Sequence, residues 1–262
     1  MDYVKPKIAI RTLAEAGKDK TTLSISVLLI RSILAGVILG YATTLAYTAA
    51  TETGFDIVGA IIFPAGFVII VLLNLELVTG AFAVMPISKF RNKVSTPAIV
   101  NNFLWIFIGN LVGSVFYALL FTIYISHFGH VDDSLMAQKL IYVAESKTLA
   151  YKILGFDGII VVFVKALLCN FMIALAIVLN ALSTSTIGKI AAMWLPLLIF
   201  FAQGFEHAVV NMFVIPAGMM AGAEISMTDW WLWNQIPVTI GNFVSAFLFV
   251  SLCFHVMTKE KE

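Results

Sequence analysis

The chain has 262 residues, of which 61% are hydrophobic and only 12% charged, and its formal net charge is +1. Soluble domains carry about a quarter charged residues, so this composition excludes a water-soluble globular protein, and the near-neutral balance offers nothing to nucleic acid. The two cysteines, Cys169 and Cys253, lie inside apolar runs; they exclude a disulfide framework and read as packing residues.

Residues 1–22 form a basic N-terminal segment carrying Lys5, Lys7, Arg11, Lys18 and Lys20. No small-residue cleavage site follows, so no removable signal peptide is predicted, and residues 8–16 read as a short amphipathic helix on the membrane surface. Six apolar blocks come next, at residues 23–50, 57–73, 97–126, 158–182, 191–223 and 230–257. Each approaches or exceeds the roughly 20 residues that cross about 30 Å of hydrocarbon, and against lipid such spans must be helical. The prediction is an all-α integral membrane protein: a six-span domain over 23–257 and a short cytoplasmic tail over 258–262.

Charge placement orients the spans. Lys89, Arg91 and Lys93 follow the second block and Lys189 follows the fourth, on the side of the basic N-terminus. Glu52, Asp56, Asp132, Asp133, Glu145, Asp157, Glu224 and Asp229 gather on the other side, against Lys139, Lys147 and Lys152. Basic connections stay cytoplasmic, so both termini are expected inside the cytoplasmic membrane, which requires an even number of spans.

The second and fifth blocks are interrupted. Asn74-Leu75-Glu76-Leu77-Val78-Thr79-Gly80 breaks one, and Gln203-Gly204-Phe205-Glu206-His207 breaks the other. A charge at the middle of a membrane helix costs roughly 2.5–3.5 kcal/mol, so two glutamates at matched places argue for broken helices lining a cavity. Glycines at 80 and 204 would supply the unusual backbone angles.

The match is part of a repeat. At an offset of about 130 residues, Phe63-Pro64 answers Leu195-Pro196 and Glu76 answers Glu206, while Pro86 answers Pro216, Asn102 answers Asn234 and Gly109-Asn110 answers Gly241-Asn242. Each half, about 23–126 and 155–257, holds three spans, so the halves enter the membrane from opposite sides as an inverted repeat. The Gly-Asn pairs read as close helix contacts with the amides bonding between helices. Free N–H groups at half-helix ends favour an anion at the centre. Lys165, inside the fourth span, adds positive charge held by Glu206 or Glu76; the plainer alternative is a lysine snorkelling to the headgroups.

Gly204-Phe205-Glu206-His207-Ala208-Val209-Val210-Asn211-Met212-Phe213, Leu77-Val78-Thr79-Gly80, Lys165-Ala166-Leu167-Leu168-Cys169-Asn170 and Ile236-Pro237-Val238-Thr239-Ile240-Gly241-Asn242 resemble the signature segments of the formate/nitrite transporter family. The resemblance implies an aquaporin-like fold, a homopentamer with one pore per protomer, and substrates such as formate, nitrite, hydrosulfide, acetate or lactate. It implies that His207 is the central pore histidine and Thr79 the threonine facing it, with Lys165, Glu206 and Glu76 as the buried charges and Asn170 and Asn211 in support. It further implies a cytoplasmic constriction of Leu77, Val78 and Val210, and an outer one of Phe63, Phe67 and Phe200. Val78 stands where formate channels carry a bulkier Phe, and Ala81 where many members have Asn, which leaves the choice of anion open.

The expected function is a channel or transporter for a small monovalent weak-acid anion, with protons as partners and membrane lipid as solvent. A bare anion loses hydration in a dry constriction, and protonation removes that cost. His207, with an ordinary pKa near 6.5, is the candidate proton donor; a neutral hydrogen-bond donor and an imidazolium gate are the two other roles open to it. The alternative is an aquaporin-like facilitator of a neutral solute, which lacks support because no Asn-Pro-Ala motif occurs. His127 and His130 form an His-x-x-His pair without a third ligand, so no metal, cofactor or enzymatic role is expected.

Overall fold

The computed structural model describes residues 2–131 and 134–259. Asp132, Asp133 and residues 260–262 of the tail lie outside the described residues. The described chain is helical almost throughout, with one isolated antiparallel bridge between Tyr3 and Ser183.

Among the described residues, four helices are long and apolar enough to cross a membrane: α2 (Ile25–Thr53), α6 (Thr96–Ser126), α9 (Phe156–Leu182) and the last span (Met227–Thr258). Their ends follow from local chemistry. The hydroxyls of Ser24 and Ser95 accept the N–H groups of Val27 and Ala98 at the starts of α2 and α6. Gly54, at a left-handed φ of 73°, stops α2. The last span contains two π-helical stretches, Trp231–Gln235 and Ala246–Leu252, and the first coincides with the burial of two consecutive amides, Asn234 and Gln235.

Five shorter helices among the described residues fill the positions of the second and fifth blocks. α3 (Asp56–Ile62) and α4 (Pro64–Leu72), jointed at Pro64, are followed by α5 (Val78–Phe90). Later, α10 (Thr186–Ala202) is followed by α11 (Ala208–Met220). In each case a non-helical stretch, 73–77 or 203–207, separates the two pieces.

Two features differ from the sequence expectation. The surface helix α1 runs over Pro6–Thr21, longer than expected, and docks on α5 where a Cβ at Gly17 would strike the Ser88 hydroxyl. The connection after α6, to which the sequence reading assigns no helix, contains α7 (Leu135–Ser146) and α8 (Leu149–Ile153). α7 packs on α11 much as α1 packs on α5: Gly218 brings the α11 backbone against Ala144 and Leu140. Its apolar positions Leu140 and Ala144, one turn apart, are fully buried, which explains why so short a segment is helical.

The long helices close on one another through small residues. A Cβ at Gly36 would meet the Asn110 carbonyl, one at Gly113 the Ile33 backbone, and one at Gly241 the Ala166 side chain. Backbones this close put the side-chain amides of Asn110 and Asn242 within reach of main-chain groups in neighbouring segments.

Candidate functional site

At the first interruption Asn74 turns the chain with a left-handed φ of 53°, and at the second Gly204 does so at 63°. Gly80, expected to serve the first turn, instead lies inside α5 without a positive φ. Asn tolerates the left-handed region better than most residues, so it can occupy the place that Gly204 takes in the other half.

A non-helical stretch leaves main-chain groups without helical partners, and burial makes that costly. One asparagine serves each stretch. Asn110 accepts the Val78 N–H at 2.9 Å through Oδ1, and its amide nitrogen donates to the carbonyls of Glu76 at 2.8 Å and Ser32 at 2.9 Å. Asn242 accepts the Ala208 N–H at 2.9 Å and donates to the carbonyls of Glu206 at 3.0 Å and Ala166 at 2.9 Å. The amides therefore bond to backbone, not to each other. The N–H groups of Glu76 and Glu206 complete the parallel by reaching the Arg31 and Lys165 carbonyls.

With their starts fixed in this way, α5 and α11 present first-turn residues to each other. Thr79 Oγ1 and His207 Nε2 lie 3.1 Å apart, both buried. His207 occupies the N-cap of α11, where its Nδ1 accepts the Val210 N–H at 3.0 Å. Nδ1 is thus committed as an acceptor, so the proton of the neutral ring sits on Nε2, facing Thr79. Phe200 stacks on the imidazole with centroids 5.9 Å apart, and Phe63 meets Phe200 edge-on at 5.6 Å. Asn170 steadies the pair from α9, donating to the Thr79 carbonyl at 3.3 Å and the Asn242 carbonyl at 2.8 Å.

The two glutamates are buried to 1% exposure and differently held. Glu206 accepts from Lys147 at 2.9 Å, Tyr151 at 2.7 Å, Asn211 at 2.7 Å and Asn234 at 3.2 Å. Lys165 does not reach it: its ammonium donates to the Tyr151 hydroxyl at 3.2 Å and lies 5.6 Å from that ring's centroid. Glu76 is bound through both carboxylate oxygens by Lys20 of α1. Each lysine's own carbonyl is gripped by a matched asparagine, Asn102 for Lys20 and Asn234 for Lys147. In the second half Asn211 donates to Asn234 Oδ1 at 2.8 Å; the matching residue in the first half is Ala81, and Asn102 Oδ1 is buried without a partner.

A cavity lies on each side of the Thr79–His207 pair. One, about 300 Å³, is lined by Lys147, Tyr151, Lys165, Phe200, Glu206 and His207. The other, about 160 Å³, is lined by Lys20, Phe67, Glu76, Leu77, Gly80 and Ala81 among others. Phe67, expected with the outer phenylalanines, sits in the second cavity beside Leu77, because it is one helical turn beyond Phe63 along α4. Val210, expected with Leu77 and Val78, lines the first cavity beside His207, three residues along the same turn of α11.

Lys20, Lys147, Tyr151, Asn110 and Asn242 carry this arrangement without having been assigned a part in it from sequence. The asparagines had a signal, since each follows a glycine at matched positions. The lysines had none, because their reach depends on where α1 and α7 dock.

Comparison with known proteins agrees with this geometry. The family model described as formate/nitrite transporter matches residues 7–256. The chain is 32% identical to an uncharacterized transporter, YrhG, of Bacillus subtilis (strain 168), covering 100% of this chain and 96% of that protein. It is 28% identical to the formate channel BtFdhC of Bacillus thuringiensis, over 97% of this chain and 95% of that one. Among solved structures, an FNT family ion channel superimposes with a TM-score of 0.80 at 24% identity, covering 96% of this chain and 99% of the other. A pentameric formate channel with formate bound gives 0.72 at 22% identity, covering 89% and 97%. The apolar helices and the family match across nearly the whole length lead to one assignment: the chain is a multi-pass membrane protein and belongs to the formate/nitrite transporter family.

Proposed function

We propose that the chain conducts a small monovalent weak-acid anion, formate foremost, along a path from one cavity to the other past Thr79 and His207. The observation that carries this reading is the facing of two helix starts between two lysine-bearing cavities. Helix starts and ammonium groups favour negative charge. The buried apolar side chains along this path, Phe63, Phe67, Phe200 and Leu77, offer an anion nothing in return for its water. The helix starts, together with Lys165 in the first cavity, therefore concentrate the anion, and the weak acid crosses the apolar stretch together with a proton.

Of the roles open to His207, the geometry favours the neutral donor. Its one proton lies on Nε2, directed to the place a passing carboxyl must cross. A second proton on Nδ1 would displace the Val210 N–H that caps α11. Proton-linked flux then arises from the acid carrying its proton, with His207 supplying a hydrogen bond at the midpoint. Lys165, whose ammonium meets a phenol and no carboxylate, is the cation left to act on anions in the first cavity.

The topology that fits this path is six spans in an inverted repeat with both termini cytoplasmic, α3 to α5 making the second span and α10 with α11 the fifth. The fold likeness to a pentameric formate channel supports assembly as a homopentamer with one path per protomer.

Proteoliposome uptake of labelled formate over a pH series tests the reading. His207→Asn keeps a donor without a titrating ring and is expected to retain pH-dependent uptake, reduced severalfold, whereas His207→Phe is expected to lose it. Loss of proton-coupled uptake in His207→Asn alone would transfer the proton to the imidazole itself. Lys165→Ala should raise the formate concentration needed for half-maximal flux while leaving a neutral solute unaffected; equal loss of both would defeat the proposed attraction.

A further inference from the structure

The seam where α6 runs beside the last span is filled at one end and hollow at the other. Near α11 it is packed by Trp230, Trp231, Ile215 and Met219, with Trp231 against Phe107 at 6.4 Å between centroids. Near the end of α5, Phe82 meets Phe103 at 4.9 Å and Phe243 at 5.5 Å, both edge-on, yet a trough of about 470 Å³ remains. Its floor includes Ile99, at the repeat position matching Trp231, and this smaller side chain leaves the room. Val100 and Ile240, 61% and 51% exposed, form its lip and open it sideways along the spans.

The wall is carbon apart from Thr96, Thr239, whose hydroxyl is spent on the Gln235 carbonyl, and Lys89, which stands exposed at the end of α5. Three cations share this turn. Arg91 donates to the Thr258 hydroxyl at 2.9 Å, and Lys93 pairs with Glu15. Lys89 has no partner among the described residues.

The geometry points to a binding site for one acyl chain of a phospholipid with an anionic headgroup, its phosphate against Lys89. A peptide or polar ligand would carry amides into a wall of mostly aromatic and aliphatic side chains that leaves most of them without a hydrogen bond. An amphiphile with a negative head and a hydrocarbon tail matches both parts of the site, and the volume lies in the range of ligand pockets, about 300–1,000 Å³. Lysine at the membrane surface attracts anionic lipid. The site lies away from Thr79 and His207, and only the choice of leaflet, the cytoplasmic one, rests on the topology proposed above.

Native mass spectrometry of the purified full-length protein, incubated with palmitoyl-oleoyl phosphatidylglycerol or phosphatidylcholine, tests the site. The wild type is expected to retain phosphatidylglycerol about fivefold better, the advantage of one lysine near the surface. Lys89→Ala should erase that preference, and Ile99→Trp, or Val100→Trp at the lip, should lower retention of both lipids. Equal retention of the two lipids by the wild type, or a preference that survives Lys89→Ala, would overturn the proposal. So would a changed subunit number in the tryptophan variants with lipid retention intact, which would give the trough to a second copy of the chain.

Discussion

Single asparagine side chains do the work that a continuous helix would otherwise do. Asn110 and Asn242 each satisfy three buried main-chain groups. A buried group left unpaired costs about 1–3 kcal/mol. Asn110→Ala and Asn242→Ala are therefore expected to lower stability by at least about 2–3 kcal/mol, read as the thermal unfolding midpoint in detergent. Ala81→Asn works in the other direction. By the precedent of Asn211, the new amide can donate to both Glu76 and the orphaned Asn102 Oδ1, for a gain of about 1 kcal/mol. An unchanged or lower midpoint would show that the first half lacks space for the amide. Glu76, Glu206 and His207 were legible in sequence because a charge or an imidazole inside an apolar run stands out against its background. Their partners were not legible, since Lys20 and Lys147 are ordinary residues of polar segments until α1 and α7 fold back. Asn211 was noticed only as support, and its absence at Ala81 acquired meaning once the orphaned Asn102 oxygen was seen.

At the scale of elements, the turns that end α4 and α10 need a left-handed residue and use different ones. Gly204→Ala places a Cβ at φ 63° and should cost about 1 kcal/mol, while Asn74→Gly should be close to neutral; comparative unfolding of the two variants checks the contrast. The interruptions could be placed from sequence because apolar runs stop there. The residue that makes the first turn could not, since glycine seemed the natural choice and Gly80 was at hand. The surface helix in the long connection escaped notice for a related reason. Its charges, Lys139, Glu145 and Lys147, read as a solvated loop, whereas only a narrow stripe around Leu140 and Ala144 is covered by α11. The two π-helical stretches of the last span leave no trace in composition at all.

For the molecule as a whole, the matched pairs extend beyond the spans. α1 answers α7, Lys20 answers Lys147, and each is fastened to its half by a glutamate and an asparagine. The repeat expected from sequence starts at the first span because α1 and α7 share little beyond helicity and a lysine near their ends. If the assembly is the proposed pentamer, multi-angle light scattering of the detergent-solubilised protein should give five chains of 28.7 kDa after subtraction of the micelle. A single-chain mass with formate uptake intact would place the whole path within an isolated protomer.

Each buried carboxylate is paired with a lysine on a segment outside the long apolar helices, so both ion pairs are complete only when those segments are docked. Removing one partner of a buried ion pair costs about 3–5 kcal/mol, so each lysine ties a peripheral segment firmly to the interior. A chain trimmed of residues 2–21 loses Lys20 and leaves the Glu76 carboxylate without its partner, which should lower stability by about 3–5 kcal/mol, read as the thermal unfolding midpoint in detergent.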